Sequence, residues 1–257
     1  MNSLLNIQNL TLHAGNKTIC TNLDFQVKPG EHWAILGQNG CGKTTLLNCI
    51  AGLHQPDDGT LSLNSKSIQR YSVEQRARLI GYLFQQIPAD FPQTVLEFCV
   101  NSLHPHLSRL DSLNENHLNT IFNLLAKVDL QNFANRKIGS LSGGELRRVE
   151  IAALLLQSPK LWLLDEPTNH LDIRHQHSVL QLLKDEIGAQ QGASLMVLHD
   201  ANLANRYCSH VLMMFNDGTT LHGKRKKILN KDNLSRLHEV NIKELNQDGD
   251  RLFVIEN

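Results

Sequence analysis

The sequence lacks several features that would place it in other classes of protein. Its 25 lysines and arginines balance 25 aspartates and glutamates, so no net charge attracts nucleic acid over long distances, and we expect no nucleic-acid partner. No run of 18 apolar residues is present, and we therefore expect no membrane-spanning helix. The N-terminal stretch MNSLLNIQNLTLHAG has neither the basic region nor the apolar block of a secretory signal. Internal repeats, low-complexity tracts and sustained heptads are also missing.

The cysteines of the chain do not form the pattern of a disulfide-bonded protein. The five that it has are scattered and odd in number: Cys20, Cys41, Cys49, Cys99 and Cys208. This pattern indicates reduced thiols in a cytoplasmic protein rather than a disulfide framework. What the chain does have is a hydrophobic fraction of 41% over 257 residues, which is enough to fill the core of one large domain or two small ones.

The order of predicted strands and helices indicates an α/β chain with a helical insert. Apolar runs typical of strands lie on both sides of the insert: LLNIQNLTL (4–12), LDFQV (23–27), HWAILG (32–37), LIGYLF (79–84), LWLLD (161–165), SLMVL (194–198) and VLMMF (211–215). From Pro92 to Gln157 the apolar spacing is helical instead. A short helix and an edge strand, RLFVI, are predicted at the end. The sequence therefore predicts a core in two parts, 1–85 and 158–257, the second with a short C-terminal extension, and a helical subdomain at 86–157.

The run GQNGCGKTT, residues 37–45, has the composition of a phosphate-binding loop. It fits G-x-x-x-x-G-K-[ST], follows a predicted strand and opens a predicted helix, which is the context that this motif requires. Its glycines let backbone N–H groups surround a phosphate, and the helix N-terminus adds partial positive charge. Lys43 would reach the β- and γ-phosphates, and the Thr44 hydroxyl would bind Mg²⁺. The predicted nucleotide-binding residues are Gly37, Asn39, Gly40, Cys41, Gly42, Lys43, Thr44 and Thr45.

A second motif supplies the carboxylates that such a loop needs. In LWLLDEP, the four apolar residues of a predicted buried strand are followed by Asp165 and Glu166. The strand end would place Asp165 near the metal, as in other P-loop enzymes. Glu166 would accept a proton from the attacking water. Alone, this pair could be an ordinary acidic loop, but together with the phosphate loop it predicts nucleotide hydrolysis.

The stretch LSGGE, residues 141–145, allows two interpretations. Ser142 and Glu145 have the spacing of a capping box, so the stretch could simply start a helix. However, two glycines in a first turn weaken a helix and leave its N–H groups bare. Bare N–H groups at a helix start are also suited to binding an anion.

As a set, and in this order, the motifs resemble those of ABC transporter ATPases along nearly the whole chain. GQNGCGKTT resembles the Walker A loop, LWLLDEP the Walker B motif, and LSGGE the ABC signature. Gln85 in YLFQ matches the Q-loop glutamine, Asp172 in NHLD the D-loop, and His199 in VLHD the switch histidine. The resemblance implies an α/β fold: a P-loop NTPase (RecA-like) core with an antiparallel β subdomain and an inserted α-helical subdomain.

The resemblance also implies how a complete site is assembled. Two copies would form a head-to-tail homodimer, with ATP between the phosphate loop of one copy and the signature of the other. The other copy would supply Ser142, Gly143, Gly144, Glu145 and Asp172. Within one copy the implied catalytic residues are Glu166, His199 and Gln85. Glu166 would be the catalytic base, His199 would contact the γ-phosphate, and Gln85 would touch Mg²⁺ or water and sense the helical insert. The residues that would hold Mg²⁺ are Thr44, Gln85 and Asp165.

Three positions depart from the usual pattern of the family. An aromatic residue that stacks on adenine is usual near the end of the first strand, and here His13 holds that position. Cys41 lies inside the phosphate loop, where it either makes the site sensitive to thiol reagents or simply fits as a small residue. The signature continues as LRR (146–148), where many members have a Gln-Arg pair.

Three further stretches are similar to the importer subunits for metal chelates: TVLEFCVNSLHPHL, DEPTNHLDIRHQ and LHDANLANRYCSHVLMMFNDGTTLHG. The resemblance implies an ATP-hydrolysing subunit that drives import of an iron-siderophore, haem or cobalamin across the inner membrane. It would lie peripherally at the cytoplasmic face, contact polytopic permease subunits, and act indirectly with a substrate-binding protein. Two alternatives stay open at this point: the ATPase of an ABC exporter, and a soluble ABC ATPase of the cluster-assembly type.

Overall fold

The computed structural model describes residues 3–86, 92–103, 105, 113–247 and 250–256. His104 and His106, which belong to the TVLEFCVNSLHPHL stretch, lie outside these ranges. The strands in chain order are β1 (Leu5–Ala14), β2 (Lys17–Val27), β3 (His32–Gly37), β4 (Asp58–Leu63), β5 (Lys66–Ser67), β6 (Ile80–Leu83), β7 (Leu161–Asp165), β8 (Ala193–Val197), β9 (His210–Met214), β10 (Thr220–Lys224), β11 (Ile242–Gln247) and β12 (Asp250–Ile255).

The helices lie between these strands. In chain order they are α1 (Lys43–Ile50), α2 (Val73–Leu79), α3 (Val95–Ser102), α4 (Glu115–Lys127), α5 (Gly143–Gln157), α6 (Ile173–Ala189), α7 (Ala201–Tyr207), α8 (Arg225–Ile228) and α9 (Lys231–His238). Among the described residues, no helix combines the length and the apolar character needed to cross a membrane.

A six-stranded sheet brings the ends of its parallel strands to one edge. Its order is β10-β9-β3-β8-β7-β6, in which β9 and β10 are antiparallel and every other pair is parallel. β3 ends at Gly37, where the phosphate loop begins, and β7 ends at Asp165. Ligands of open parallel sheets bind beyond the carboxyl ends of the strands. The phosphate loop and the acidic pair therefore lie on the same side of the molecule.

Both faces of this sheet are covered by apolar side chains. On β7, Leu161 and Leu163 belong to a core shared with the antiparallel sheet and α1, whereas Trp162 and Leu164 belong to a core shared with helices α3 to α9. A strand that is buried on both faces has no need for polar alternation. This burial explains why LWLLD and SLMVL are continuous apolar runs.

A separate antiparallel sheet packs on the first of these cores. Its order is β2-β1-β4-β5, and β1 pairs along its length with both β2 and β4. Leu5, Leu10 and Leu12 of β1 are fully buried beneath it. Ile19 of β2 is also buried and reaches the phosphate loop, so this sheet supports the loop from one side.

The helices of the predicted insert pack on one another. α3 and α4 both contact α5. α3 begins at a capping box formed by Thr94 and Glu97, and α5 begins at one formed by Ser142 and Glu145. These side chains satisfy N–H groups that a helix start leaves without a partner, which explains why both helices begin where they do.

The predicted α/β fold class, with a P-loop core, an antiparallel sheet and a group of packed helices, is confirmed. The boundaries at 85/86 and 157/158 stay predictions. At the C-terminus, RLFVI lies in β12, which pairs with β11 in a separate hairpin. The sequence predicted one strand there, because IKELNQ of β11 has too few apolar residues to indicate a strand.

Candidate functional site

The phosphate loop joins β3 to α1 in a conformation that requires glycine. Gly42 has φ 103°, and a Cβ atom there would lie 2.4 Å from the Ile19 side chain. A side chain at this position would therefore clash with Ile19, and the left-handed backbone also favours glycine. Lys43 is buried, and its Nζ donates to the carbonyls of Gly37 at 2.8 Å and Gln38 at 3.0 Å. The ammonium group is thus held within the loop, next to the N–H groups at the start of α1.

The Thr44 hydroxyl and the Asp165 carboxylate form the candidate metal-binding part of the site. Thr44 Oγ1 donates to Asp165 Oδ2 at 2.7 Å. Asp165 Oδ1 is buried and has no hydrogen-bond partner among the described residues. Burial raises the pKa of Asp165, and the hydrogen bond from Thr44 opposes this shift. Two hard oxygen donors with one orphaned carboxylate oxygen fit Mg²⁺, which binds one or two protein oxygens together with substrate phosphates.

Glu166 and His199 form a hydrogen-bonded pair beside this metal-binding part. His199 Nε2 lies 2.8 Å from Glu166 Oε1, and Asn169 Nδ2 donates to Glu166 Oε2 at 3.4 Å. Glu166 has φ 51°, in the left-handed region that non-glycine residues seldom adopt. Such strain persists only where the surroundings fix it, and it is common at active sites. The carboxylate is therefore held in one orientation, from which it can accept a proton.

A cleft of about 420 Å³ contains most of the predicted nucleotide-binding residues. Its walls include Asn39, Gly40, Gly42, Lys43, Thr44, Thr45, Gln85, Glu166 and His199. Gln85 is exposed just beyond the end of β6. The structure thus brings residues from four separate motifs to one cleft, where phosphate, a metal ion and a carboxylate base could meet.

Cys41 and His13 are placed differently from that group. Cys41 is buried, and its Sγ occupies space beside Gly37 that a larger side chain there would need. The thiol therefore fits as a small packing residue rather than as an exposed group.

His13 is half-exposed, and its Nδ1 lies 3.2 Å from Asp57 Oδ2. The backbone N–H of His13 also bonds Asp57, and these hydrogen bonds lower the pKa of that carboxyl. His13 is thus engaged with Asp57, and stacking of its ring on adenine stays a prediction.

The signature residues line a second cleft of about 450 Å³. Ser142, Gly143, Gly144, Glu145 and Asp172 all contribute to it. A Cβ atom on Gly144 would lie 2.8 Å from the carbonyl oxygen of His170, so the helix start packs tightly against the loop before α6. In the part of the chain that the structure describes, this cleft shares no lining residue with the first. One chain therefore carries two separate clefts, one at the phosphate loop and one at the signature.

Two supporting contacts of the phosphate loop were missed by sequence reasoning. Lys17, at the start of β2, donates from Nζ to the Gly40 carbonyl at 2.9 Å and lines the first cleft. Asn216 donates to the Gln38 side chain at 2.6 Å. These contacts join segments 23 and 178 residues apart, and no local motif indicates such pairs.

A family model, a curated relative and solved structures all match this chain to ABC transporter proteins. A protein-family model of ABC transporters matches residues 20–169. The hemin import ATP-binding protein of Escherichia coli O157:H7 is 34% identical over 245 residues, which cover 93% of each chain. Among solved structures, a metal-chelate type ABC transporter in an inward-facing conformation matches 100% of this chain and 98% of its own, with a TM-score of 0.84 and 28% identity. An ATP-binding cassette in a dimeric post-hydrolysis state with ADP and Pi matches with a TM-score of 0.75 and 27% identity, over 86% of this chain and 98% of its own.

Proposed function

This chain belongs to the ABC transporter family and is an ATPase subunit, and we propose that it drives the import of a metal chelate such as an iron-siderophore, haem or cobalamin. The observation that carries hydrolysis is the arrangement in the first cleft. There, Lys43, Thr44 and the Glu166–His199 pair face the same space, and the Thr44 hydroxyl donates a hydrogen bond to Asp165 behind it. The choice of cargo class is supported by the similarity to a hemin import subunit and to a metal-chelate type transporter.

In the proposed mechanism, the phosphate loop binds the phosphates of ATP through its N–H groups and Lys43. Thr44, Asp165 and Gln85 would hold Mg²⁺, which when bound supplies positive charge that stabilises the transferring phosphoryl group. Glu166 orients the attacking water and accepts its proton. His199 holds the Glu166 carboxylate at 2.8 Å and contacts the γ-phosphate.

We place the missing half of the site on a second copy of the chain. At the start of α5 the capping box uses the N–H groups of Ser142 and Glu145 and leaves those of Gly143 and Gly144 for a ligand. The signature cleft also shares no lining residue, among those described, with the cleft at the phosphate loop of its own chain. In a head-to-tail homodimer, Ser142, Gly143 and Gly144 of one copy would contact the ATP bound by the other. Glu145 and Asp172 cap α5 and α6 at the same surface. ATP therefore acts as the group that joins the two copies.

The helical subdomain would transmit the ATP-driven pairing of the two copies to the membrane subunits. In the proposed assembly, the region 86–157 docks on polytopic permease subunits at the cytoplasmic face of the inner membrane. Gln85 is suited to linking ATP binding to movement of the helical subdomain, because it lines the first cleft and directly precedes residues 86–157. A substrate-binding protein would deliver the chelate on the other side and would not touch this chain.

Copurification tests the assembly. The tagged chain is purified from its native membranes in a mild detergent, and the bound proteins are identified by mass spectrometry. The proposal predicts a polytopic membrane protein in stoichiometric amount. A soluble partner alone, with the chain absent from the membrane fraction, would contradict it and favour a soluble ATPase of the cluster-assembly type.

Uptake measurements test the direction and class of transport. Cells that lack the chain are complemented with the wild-type protein or with Glu166→Gln, and are given labelled ferric siderophore, haem or cobalamin. The proposal predicts that cells with Glu166→Gln fail to accumulate at least one of these chelates. Normal accumulation of all three, with impaired efflux of another compound, would instead identify an exporter.

A further inference from the structure

The LRR run after the signature contains an arginine whose side chain is almost completely enclosed. Arg147 lies in the second turn of α5 and is 3% exposed. An arginine is seldom buried unless its charge is paired and its donors are used. Its neighbour Arg148 is only partly buried and bonds the carbonyl of Val128 within the helical region. The two arginines of LRR therefore differ in burial and bind different segments of the chain.

The Arg147 guanidinium makes four hydrogen bonds to three different segments. Nη1 donates to the Phe84 carbonyl at 2.6 Å and to Glu150 Oε2 at 2.7 Å. Nη2 donates to the Asp165 carbonyl and, at 2.8 Å, to the Glu166 carbonyl. Phe84 directly precedes Gln85, and the other two carbonyls belong to the acidic pair. One side chain thus joins α5 to the end of β6 and to the end of β7.

The contact with Glu166 lies where the backbone is strained. Glu166 has φ 51°, and a non-glycine residue keeps such a conformation only when its neighbours fix it. Arg147 binds the carbonyls of the two peptide groups on either side of the Glu166 Cα, so it limits rotation of the residue that carries the carboxylate. The planar fork of a guanidinium suits this task, because one rigid group presents several donors in fixed directions.

Glu150 makes this buried charge possible. It is the acidic partner of Arg147 one turn further along α5, and both side chains are 4% exposed. Burial raises the pKa of Glu150, and the adjacent guanidinium opposes that shift. The ion pair therefore accounts for the charge of Arg147 but not for its contacts with the three carbonyls.

We propose that Arg147 is a positioning residue that fixes the Glu166 backbone and ties it to the segment that carries Gln85. This inference rests on the proposed role of Glu166 as the catalytic base. Because α5 belongs to the region that would dock on the membrane subunits, a shift of α5 would move the Glu166 carbonyl through Arg147. A misplacement of about 1 Å can cost about 10²-fold in rate.

The test compares two variants of the purified chain. In the first, Arg147→Gln and Glu150→Gln are combined, which removes both buried charges together and avoids leaving one unpaired. In the second, Glu150→Gln alone keeps the carbonyl contacts of Arg147 but leaves its buried charge without a carboxylate, which lowers stability. Turnover of both variants is therefore measured well below their unfolding temperatures and alongside the wild-type chain. ATP hydrolysis is measured for both at a series of ATP concentrations, and thermal unfolding is recorded for both.

The proposal predicts a loss in kcat without a loss in nucleotide binding. Relative to Glu150→Gln, the double variant loses about 10-fold to 100-fold in kcat, with KM for ATP within about twofold. When Glu166→Gln is also present, adding the double variant causes no further loss, because both changes act through the same carboxylate. A kcat equal to that of Glu150→Gln, or a loss that adds in full to that of Glu166→Gln, would overturn the proposal.

Two further comparisons keep the result interpretable. If the double variant does not fold, Arg147→Lys replaces it, since lysine keeps the charge opposite Glu150 but lacks the planar fork; the same loss in kcat is expected. If Glu166→Gln itself keeps near-normal turnover, the assigned base is wrong and this inference fails with it. If Glu166→Gln is inactive while both Arg147 variants turn over normally, only the role of Arg147 is overturned.

Discussion

At the scale of single residues, the proposed hydrolysis depends on the carboxylate of Glu166. Glu166→Gln keeps the shape of the side chain and a hydrogen-bonding group opposite His199, but an amide cannot accept the proton of the attacking water. We expect the rate of ATP hydrolysis to fall about 10²–10⁴-fold, while ATP binding is retained. Steady-state phosphate release, together with a nucleotide-binding assay, measures both quantities.

The control for this substitution is Glu74→Gln on α2, an exposed glutamate that is remote in sequence from every motif of the site. We expect its turnover to equal that of the wild-type protein. Near-normal turnover in Glu166→Gln would show that another group accepts the proton.

A second residue gives the stability of the chain a defined dependence on pH. His32 begins β3, is 7% exposed, and lies 2.9 Å from Ser194 Oγ through its Nδ1. Burial lowers the pKa of His32 to about 4. The unfolded chain takes up a proton near pH 6.5, whereas the folded chain does so only near pH 4. Its contribution to stability is therefore complete above pH 6.5 and is lost as the pH falls through this window.

Between pH 7 and pH 5 this single group should lower the free energy of unfolding by about 2 kcal/mol. Urea unfolding of the wild-type chain and of His32→Asn at both pH values isolates this contribution. From pH 7 to pH 5, the free energy of unfolding should fall by about 2 kcal/mol less in His32→Asn than in the wild-type chain. Equal falls in the two proteins would mean that the folded chain takes up the proton as readily as the unfolded one.

Single residues also show how far sequence reasoning reaches. Lys43, Thr44, Asp165 and Glu166 could be predicted because each belongs to a short motif with a fixed spacing from its strand or helix. Lys17 and Arg147 could not, because their partners lie 18 to 63 residues away along the chain. Their roles depend on which segments the fold brings together, and an arginine next to another arginine gives no local sign of burial.

At the scale of secondary structure, the start of α5 is the part of the signature that can be tested alone. Ser142 caps this helix, and its hydroxyl accepts a hydrogen bond from the Glu145 N–H. Asp is as good a cap as Ser, so Ser142→Asp should leave the stability of the fold nearly unchanged. It also adds a negative charge where the phosphates of the second copy's ATP are proposed to lie.

We expect Ser142→Asp to weaken ATP-driven pairing of two copies by about a hundredfold or more. Two like charges about 4 Å apart near a protein surface repel by about 4 kcal/mol. Ser178→Asp is the matched control, because Ser178 is exposed on α6 and lines neither cleft. If Ser142→Asp hydrolyses ATP as fast as Ser178→Asp does, the signature does not face the nucleotide.

The elements themselves were predictable to different degrees. HWAILG, LWLLD, SLMVL and VLMMF indicated β3, β7, β8 and β9, because strands buried on both faces are unbroken apolar runs. The order of these strands in the sheet depends on long-range pairing and has no local signal. α5 is buried on most of its surface, so its apolar pattern indicated a helix but not which face meets the core.

At the scale of the whole molecule, the central feature is the separation of the two clefts. The phosphate-loop cleft is lined by Lys43, Thr44 and the Glu166–His199 pair, and the signature cleft is lined by the start of α5, where the capping box does not use the N–H groups of Gly143 and Gly144. Neither one alone surrounds a nucleotide. A closed dimer would bury both sites, exclude water from them and couple ATP binding to movement of the helical region.

The most direct test of this account is the mass of Glu166→Gln in solution, measured by light scattering with and without ATP and Mg²⁺. Because we expect this variant to bind ATP but to turn it over slowly, we predict a mass of one chain without nucleotide and of two chains with it. Adding Ser142→Asp to the same chain should restore the mass of one chain. A one-chain mass at saturating ATP, or a two-chain mass that Ser142→Asp leaves intact, would contradict a site shared between two copies.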